Sequence, residues 1–131
     1  MGGHGALTIA LKNKGLFRSV TVFAPICHPS AAPWGIKAFT GYLGEEQAAW
    51  AQYDATLLMG SVAEVTAAPI LLDQGSSDKF LDQLQPQAFL AAAAARNVSV
   101  DYREREGYDH SYYYIASFIG EHFDFHLANL H

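Results

Sequence analysis

Two side chains in this 131-residue sequence are placed to share a proton: Asp78, in Gly75-Ser76-Ser77-Asp78, and His110, in Gly107-Tyr108-Asp109-His110. A carboxylate that accepts the ring N–H of an imidazole fixes its tautomer and stabilises the imidazolium formed when it takes a proton. An acid and a histidine in loops also serve as caps or solvated groups, so spacing alone leaves both readings open. Cys27-His28 sets a thiol beside a base, but nothing there resembles a strained nucleophile turn, and a lone Cys after a strand reads as a small buried hydrophobe. His122 and His126 share one face of a helix at metal-binding spacing. No third ligand and no HExxH accompany them, so they read as an exposed amphipathic face, and no metal is expected. His4, among glycines, reads as a packing residue. Tyr108 and Tyr112 flank His110 and read as mainly structural.

A Ser-type nucleophile is expected on a G-x-S-x-G turn between a strand and a buried helix. Met1-Gly2-Gly3 followed by an apolar helix matches the second half of that turn, with Met1 in the place after the serine. The serine itself would precede Met1. A flexible glycine start before a helix fits the same residues. The order acid then histidine, with the nucleophile ahead of both, is that of α/β-hydrolases.

These residues need elements to hold them. Ala6–Leu11 reads as a helix apolar almost all round, stopped near Asn13 and Gly15. Ser19–Ala24 reads as a strand ended by Pro25, and residues 25–35 as a proline-rich loop. Ile36–Leu43 and Glu45–Tyr53 read as short helices broken at Gly44, with a further turn over 54–59. Pro69–Leu72 is an apolar run that suits a strand covered on both faces. Leu81–Arg96 reads as one helix with Pro86 in its first turn. Val98, Val100 and Tyr102 alternate as in an exposed strand. Ser111 is a candidate N-cap for a last helix running to about Leu130. Strands alternating with helices imply a parallel α/β sheet, whose loops beyond the strand ends carry function.

Composition narrows the classes. The chain is 50% hydrophobic and 16% charged, which excludes a disordered tail. Eight Lys+Arg against thirteen Asp+Glu leave a net charge of −5, which argues against nucleic-acid binding. No apolar run reaches the roughly 20 residues of a membrane span. One Cys excludes an intrachain disulfide and suits a reducing compartment.

Met1-Gly2-Gly3-His4-Gly5-Ala6-Leu7, Phe23-Ala24-Pro25-Ile26-Cys27, Pro33-Trp34-Gly35, Ala38-Phe39, Gly41-Tyr42-Leu43-Gly44, Tyr53-Asp54-Ala55-Thr56, Asp73-Gln74-Gly75 and Glu106-Gly107-Tyr108-Asp109-His110-Ser111-Tyr112-Tyr113 together resemble the S-formylglutathione hydrolase (esterase D) family. The resemblance covers essentially the whole chain and corresponds to the C-terminal half of that family. It implies the C-terminal part of an α/β-hydrolase fold, a single partial domain over residues 1–131 with a parallel three-stranded sheet remnant and flanking helices. It implies a serine thioesterase and carboxylesterase that turns S-formylglutathione and water into formate and glutathione in cytoplasmic formaldehyde detoxification. No cofactor is implied. Asp78 would be the triad acid, His110 the triad base, and Met1 the residue whose backbone N–H lines the oxyanion hole. Trp34 and the prolines around it are expected to line the substrate pocket. With the serine ahead of Met1, the chain alone is expected to be inactive, and exposed sheet edge and face are expected to make it aggregate. A homodimer is implied. The alternative is a non-catalytic truncated product or pseudoenzyme that associates with a partner chain.

Overall fold

The centre of the molecule is its most buried strand. In the computed structural model, which describes residues 1–131, Ile70–Gly75 forms β2 and is buried at every position. It is flanked in parallel by β1 (Val20–Phe23) and β3 (Val100–Arg105), giving the order β1-β2-β3. Val20 lies opposite Ile70, and Ile70 opposite Val100. Alternation along each strand then sorts the side chains between two faces.

One face carries Val20, Val22, Ile70 and Leu72, and buries the main core. Three helices supply the rest of that core: α1 (Gly2–Lys12) with Leu7 and Leu11, α4 (Ala55–Ser61) with Leu58 and Met59, and α6 (Pro86–Ala95) with Phe89. The opposite face carries Phe23, Asp73, Arg103 and Arg105, and is covered by α7 (Tyr112–Ala128). Between β1 and α4 lie α2 (Pro33–Leu43) and α3 (Gln47–Trp50), the latter continued by a 3-10 turn over Ala51–Tyr53.

Several elements differ from the sequence expectation, each for a physical reason. The first helix begins at Gly2 rather than Ala6, so the glycines are helical. Gly3 is needed there, because a Cβ would sit 2.9 Å from the Pro25 Cβ and 3.1 Å from the Phe23 carbonyl oxygen. The stretch expected as one helix over Leu81–Arg96 is two. A single turn, α5 (Leu81–Leu84), ends at Gln85 in the left-handed region (φ 48°), and Pro86 opens α6 as its first residue. Tertiary bonds hold that break: Cys27 N–H donates to the Leu84 carbonyl at 2.8 Å, and Gln85 Nε2 to the Ala31 carbonyl at 3.1 Å. β3 runs further than expected, to Arg105, and α7 ends at Ala128.

His122 departs most from expectation. Placed by pattern on an exposed face, it is 2% exposed and stacked on Phe23 with ring centroids 3.7 Å apart. The sheet face beneath α7 is itself polar, so the inward side of this helix carries a histidine and a tyrosine. Its outward side shows Ile119, Phe123 and Leu127 at four-residue intervals, the last two more than half exposed. No helix is long and apolar enough to cross a membrane.

Candidate active site

Asp78 and His110 come from loops after adjacent strands, β2 and β3, and these loops are stitched together. Ser76 N–H donates to the Arg105 carbonyl and Ser77 N–H to the Tyr108 carbonyl, both at 3.0 Å. Gly107 N–H donates to Ser76 Oγ at 2.9 Å. Gly75 permits the approach, because a Cβ there would strike the Tyr108 carbonyl oxygen. Gly75→Ala is therefore expected to force the loops apart and to cost about 1–3 kcal/mol, as overpacking of a tight site does. A lowered urea midpoint checks this, and an unchanged one would show that the backbone yields freely.

The result of this stitching is a direct bond. His110 Nδ1 lies 2.7 Å from Asp78 Oδ2. An ionised carboxylate only accepts, so Nδ1 carries the proton and the neutral ring keeps its lone pair on Nε2. The Asp78 side chain is fully buried, whereas that of His110 is 42% exposed. Asp78 is held by two further donors: the Phe80 backbone N–H to Oδ1 at 2.9 Å and Gln74 Nε2 to Oδ2 at 3.0 Å. Phe80 also meets the His110 ring edge-on, at 5.5 Å between centroids.

His110 opens onto a cleft of about 660 Å³. Met1, Gly2 and Gly3, at the start of α1, line the same cleft, together with Phe23 and Tyr112. It follows the side of β1 that bonds no strand, since β1 pairs only with β2. The structure thus brings together three of the expected site residues: Asp78, His110 and Met1. Trp34 stands apart from the cleft. It packs on Phe80 at 4.7 Å between ring centroids and reaches His110 only through that ring.

A second polar cluster anchors the helix that follows His110. Ser111 caps α7 by accepting from Tyr114 N–H at 3.3 Å. Tyr114 Oη donates to Asp73 Oδ1 at 2.7 Å, and Arg105 Nε donates to Asp73 Oδ2 at 2.8 Å. Arg105 Nη2 also donates to Glu121 at 2.5 Å. His122 Nε2, at 3.5 Å from Asp73 Oδ2, is in electrostatic contact but too far for a good hydrogen bond. Burial acts to raise the Asp73 carboxyl, but His122, Arg105 and Tyr114 outweigh it and hold the group below its ordinary value. Burial, reinforced by Asp73, pushes the Tyr114 phenol up, so it stays a donor.

The remaining candidates have structural partners. Cys27 is fully buried, and burial, followed by the charge of Asp54, pushes its thiol far up, away from the nucleophilic thiolate. His28 faces Asp54 rather than Cys27, Nδ1 to Oδ2 at 2.8 Å, while Asp54 caps α4 through Leu57 N–H. His4 Nε2 lies 2.6 Å from the Tyr53 carbonyl oxygen and joins α1 to the turn before α4. His126 is engaged by Ser19 at 2.7 Å and Thr21 at 3.0 Å. Sequence reasoning missed Gln74 and Phe80. A signal for Gln74 existed: it lies just past the apolar run Pro69–Leu72, expected to be covered on both faces, and an amide buried there needs a partner.

The model of the Esterase family ("Putative esterase") matches residues 1–125. The S-formylglutathione hydrolase of Rattus norvegicus is 53% identical over 132 residues, covering 99% of this chain and 46% of that protein. The structure of an S-formylglutathione hydrolase from Agrobacterium tumefaciens superimposes with a TM-score of 0.92 at 43% identity, over 99% of this chain and 47% of its own. The S-formylglutathione hydrolase of Staphylococcus aureus shares the fold, with a TM-score of 0.76 at 19% identity over 97% of this chain and 51% of its own. The chain spans about half the length of the curated relatives it matches. Its three parallel strands and flanking helices are part of an α/β-hydrolase fold, and by the match over residues 1–125 the chain belongs to the esterase family.

Proposed function

We propose that residues 1–131 supply the acid and the base of a serine thioesterase and carboxylesterase of the S-formylglutathione hydrolase type. The observation that carries this is the bond from a half-exposed His110 to a fully buried Asp78, on a cleft that also holds the start of α1. In the complete site, a serine ahead of Met1 attacks the formyl carbonyl while His110 Nε2 takes its proton. His110 returns the proton to the departing glutathione thiolate, then draws one from the water that releases formate and hands it back to the serine oxygen. Asp78 holds the tautomer throughout. The backbone N–H of Met1 faces the oxyanion, at the positive end of α1. Trp34, packed on Phe80, lies one ring behind His110, beside the acyl or glutathione pocket of the complete site. The same reading assigns the activity to formaldehyde catabolism in the cytoplasm, with a homodimer as the assembly.

The test is a graft. Residues 1–131 replace the matching part of the rat enzyme, with Met1 directly after the nucleophile serine. The graft is expected to hydrolyse S-formylglutathione and p-nitrophenyl acetate and to label with a fluorophosphonate. The 131-residue polypeptide alone is expected to do neither. A folded but inert graft would overturn the proposal. It would favour the second reading, association without catalysis, which the exposed Ile119, Phe123 and Leu127 row and the unpaired side of β1 support.

A further inference from the structure

We propose that Gln74 is a positioning residue for the Asp78–His110 pair, its amide deciding which carboxylate oxygen faces the imidazole. The inference rests on these two residues acting as acid and base. The terminal torsion of an aspartate is broad, so one backbone donor leaves its carboxylate plane free to rock. Phe80 N–H grips Oδ1. Gln74 Nε2 grips Oδ2 at 3.0 Å, and it is this oxygen that accepts from His110 Nδ1 at 2.7 Å. The second Nε2 hydrogen goes to the Gly75 carbonyl at 3.3 Å, so the amide is itself tied to the strand end from which the Asp78 loop departs.

The other end of the amide separates positioning from plain stability. Gln74 is fully buried, yet its Oε1 has no hydrogen-bond partner. Turning the amide over would set Oε1 against the Asp78 carboxylate, acceptor against acceptor, so the unpaired orientation is enforced. A buried carbonyl without a donor costs stability. An apolar side chain of similar volume would fill the same space without that cost. A glutamine that weakens the fold while gripping the acid of a catalytic pair has the profile of a residue serving geometry.

The readout is the Nδ1 proton of His110, observed by NMR in the graft, where the rest of the domain covers the sheet, and assigned by its loss in His110→Gln. In Gln74→Met and Gln74→Leu, this proton is expected to exchange with solvent about tenfold faster, as expected when one charge-assisted bond in a network is lost. The amide spectrum should remain that of the folded protein, with a melting temperature equal to or above the parent. Unchanged exchange in both variants would overturn the proposal. Unfolding of both would overturn it as well, because the amide would then be holding the fold. The measurement uses no turnover, so a graft without esterase activity would sink the functional reading and leave this test standing.

Discussion

In the grafted enzyme, His110→Gln is expected to lower kcat for S-formylglutathione by about a millionfold, and Asp78→Asn by about ten-thousandfold. The two differ because they act at different removes from the reacting atoms. In the proposed site His110 Nε2 takes the serine proton, and without it the hydroxyl stays protonated. Asp78 would act through His110, accepting the Nδ1 proton across an N···O distance of 2.7 Å and so leaving the lone pair on Nε2. An amide in its place can turn its NH₂ toward the ring and favour the wrong tautomer. The pair works as one unit, so the double variant is expected to fall no further than His110→Gln alone. Steady-state kinetics on the three variants decide the matter. A loss below about a hundredfold for His110→Gln would show that another group carries the proton, because general-base catalysis contributes at least that much.

Asp73 is expected to have the largest effect on stability. Its carboxylate is fully buried and meets Arg105, Tyr114 and His122. Asp73→Asn removes the charge and leaves Arg105 poorly compensated, a change that costs about 3–5 kcal/mol when a buried pair is broken. The low end applies, because Glu121 still reaches Arg105 at 2.5 Å from a 44% exposed position. Against a typical total of about 5–15 kcal/mol that is a large fraction, readable as a fall in urea midpoint. The pH dependence has a definite sign. A carboxyl held below its unfolded value contributes stability that is fully present above that value and is lost as pH falls through the folded one. The parent is thus expected to lose stability as pH drops below the ordinary carboxylate range near 4, and Asp73→Asn to show a shallower decline there. Parallel acid limbs in the two proteins would rule out Asp73 as the group responsible.

Much of this molecule could be read from local pattern. The apolar run closed by Asp73-Gln74-Gly75 marks a doubly covered strand, and Asp78 and His110 stand out as a candidate pair by their places just beyond two strand ends, though spacing alone also fits capping groups. What escaped reading is set by contacts distant in sequence. Pro86 fits the first turn of a longer helix as well as the first residue of a new one. Only the bonds from Cys27 and Gln85, made across the fold, select the second. His122 was placed outward because a helix pattern assumes an apolar floor beneath it. The floor here is Phe23 flanked by Asp73 and Arg105, so polarity along α7 does not report exposure. Trp34 packs on Phe80, one ring back from His110, a placement no local pattern carries.

The capping serine immediately after His110 has a consequence for the order in which the site becomes rigid. Ser111 is extended backbone and His110 precedes it, so the base belongs neither to a free loop nor to the helix, but to the boundary between them. A boundary of this kind is well defined only while the first helical turn is closed. Local opening of that turn, through release of Ser111 from Tyr114 or of Tyr114 from Asp73, loosens the C-terminal side of His110 while Asp78 still holds its ring. The imidazole of His110 is therefore coupled to the first turn of the last helix. Openings of this kind leave the sheet intact, so the range of positions open to the ring can widen without the protein unfolding.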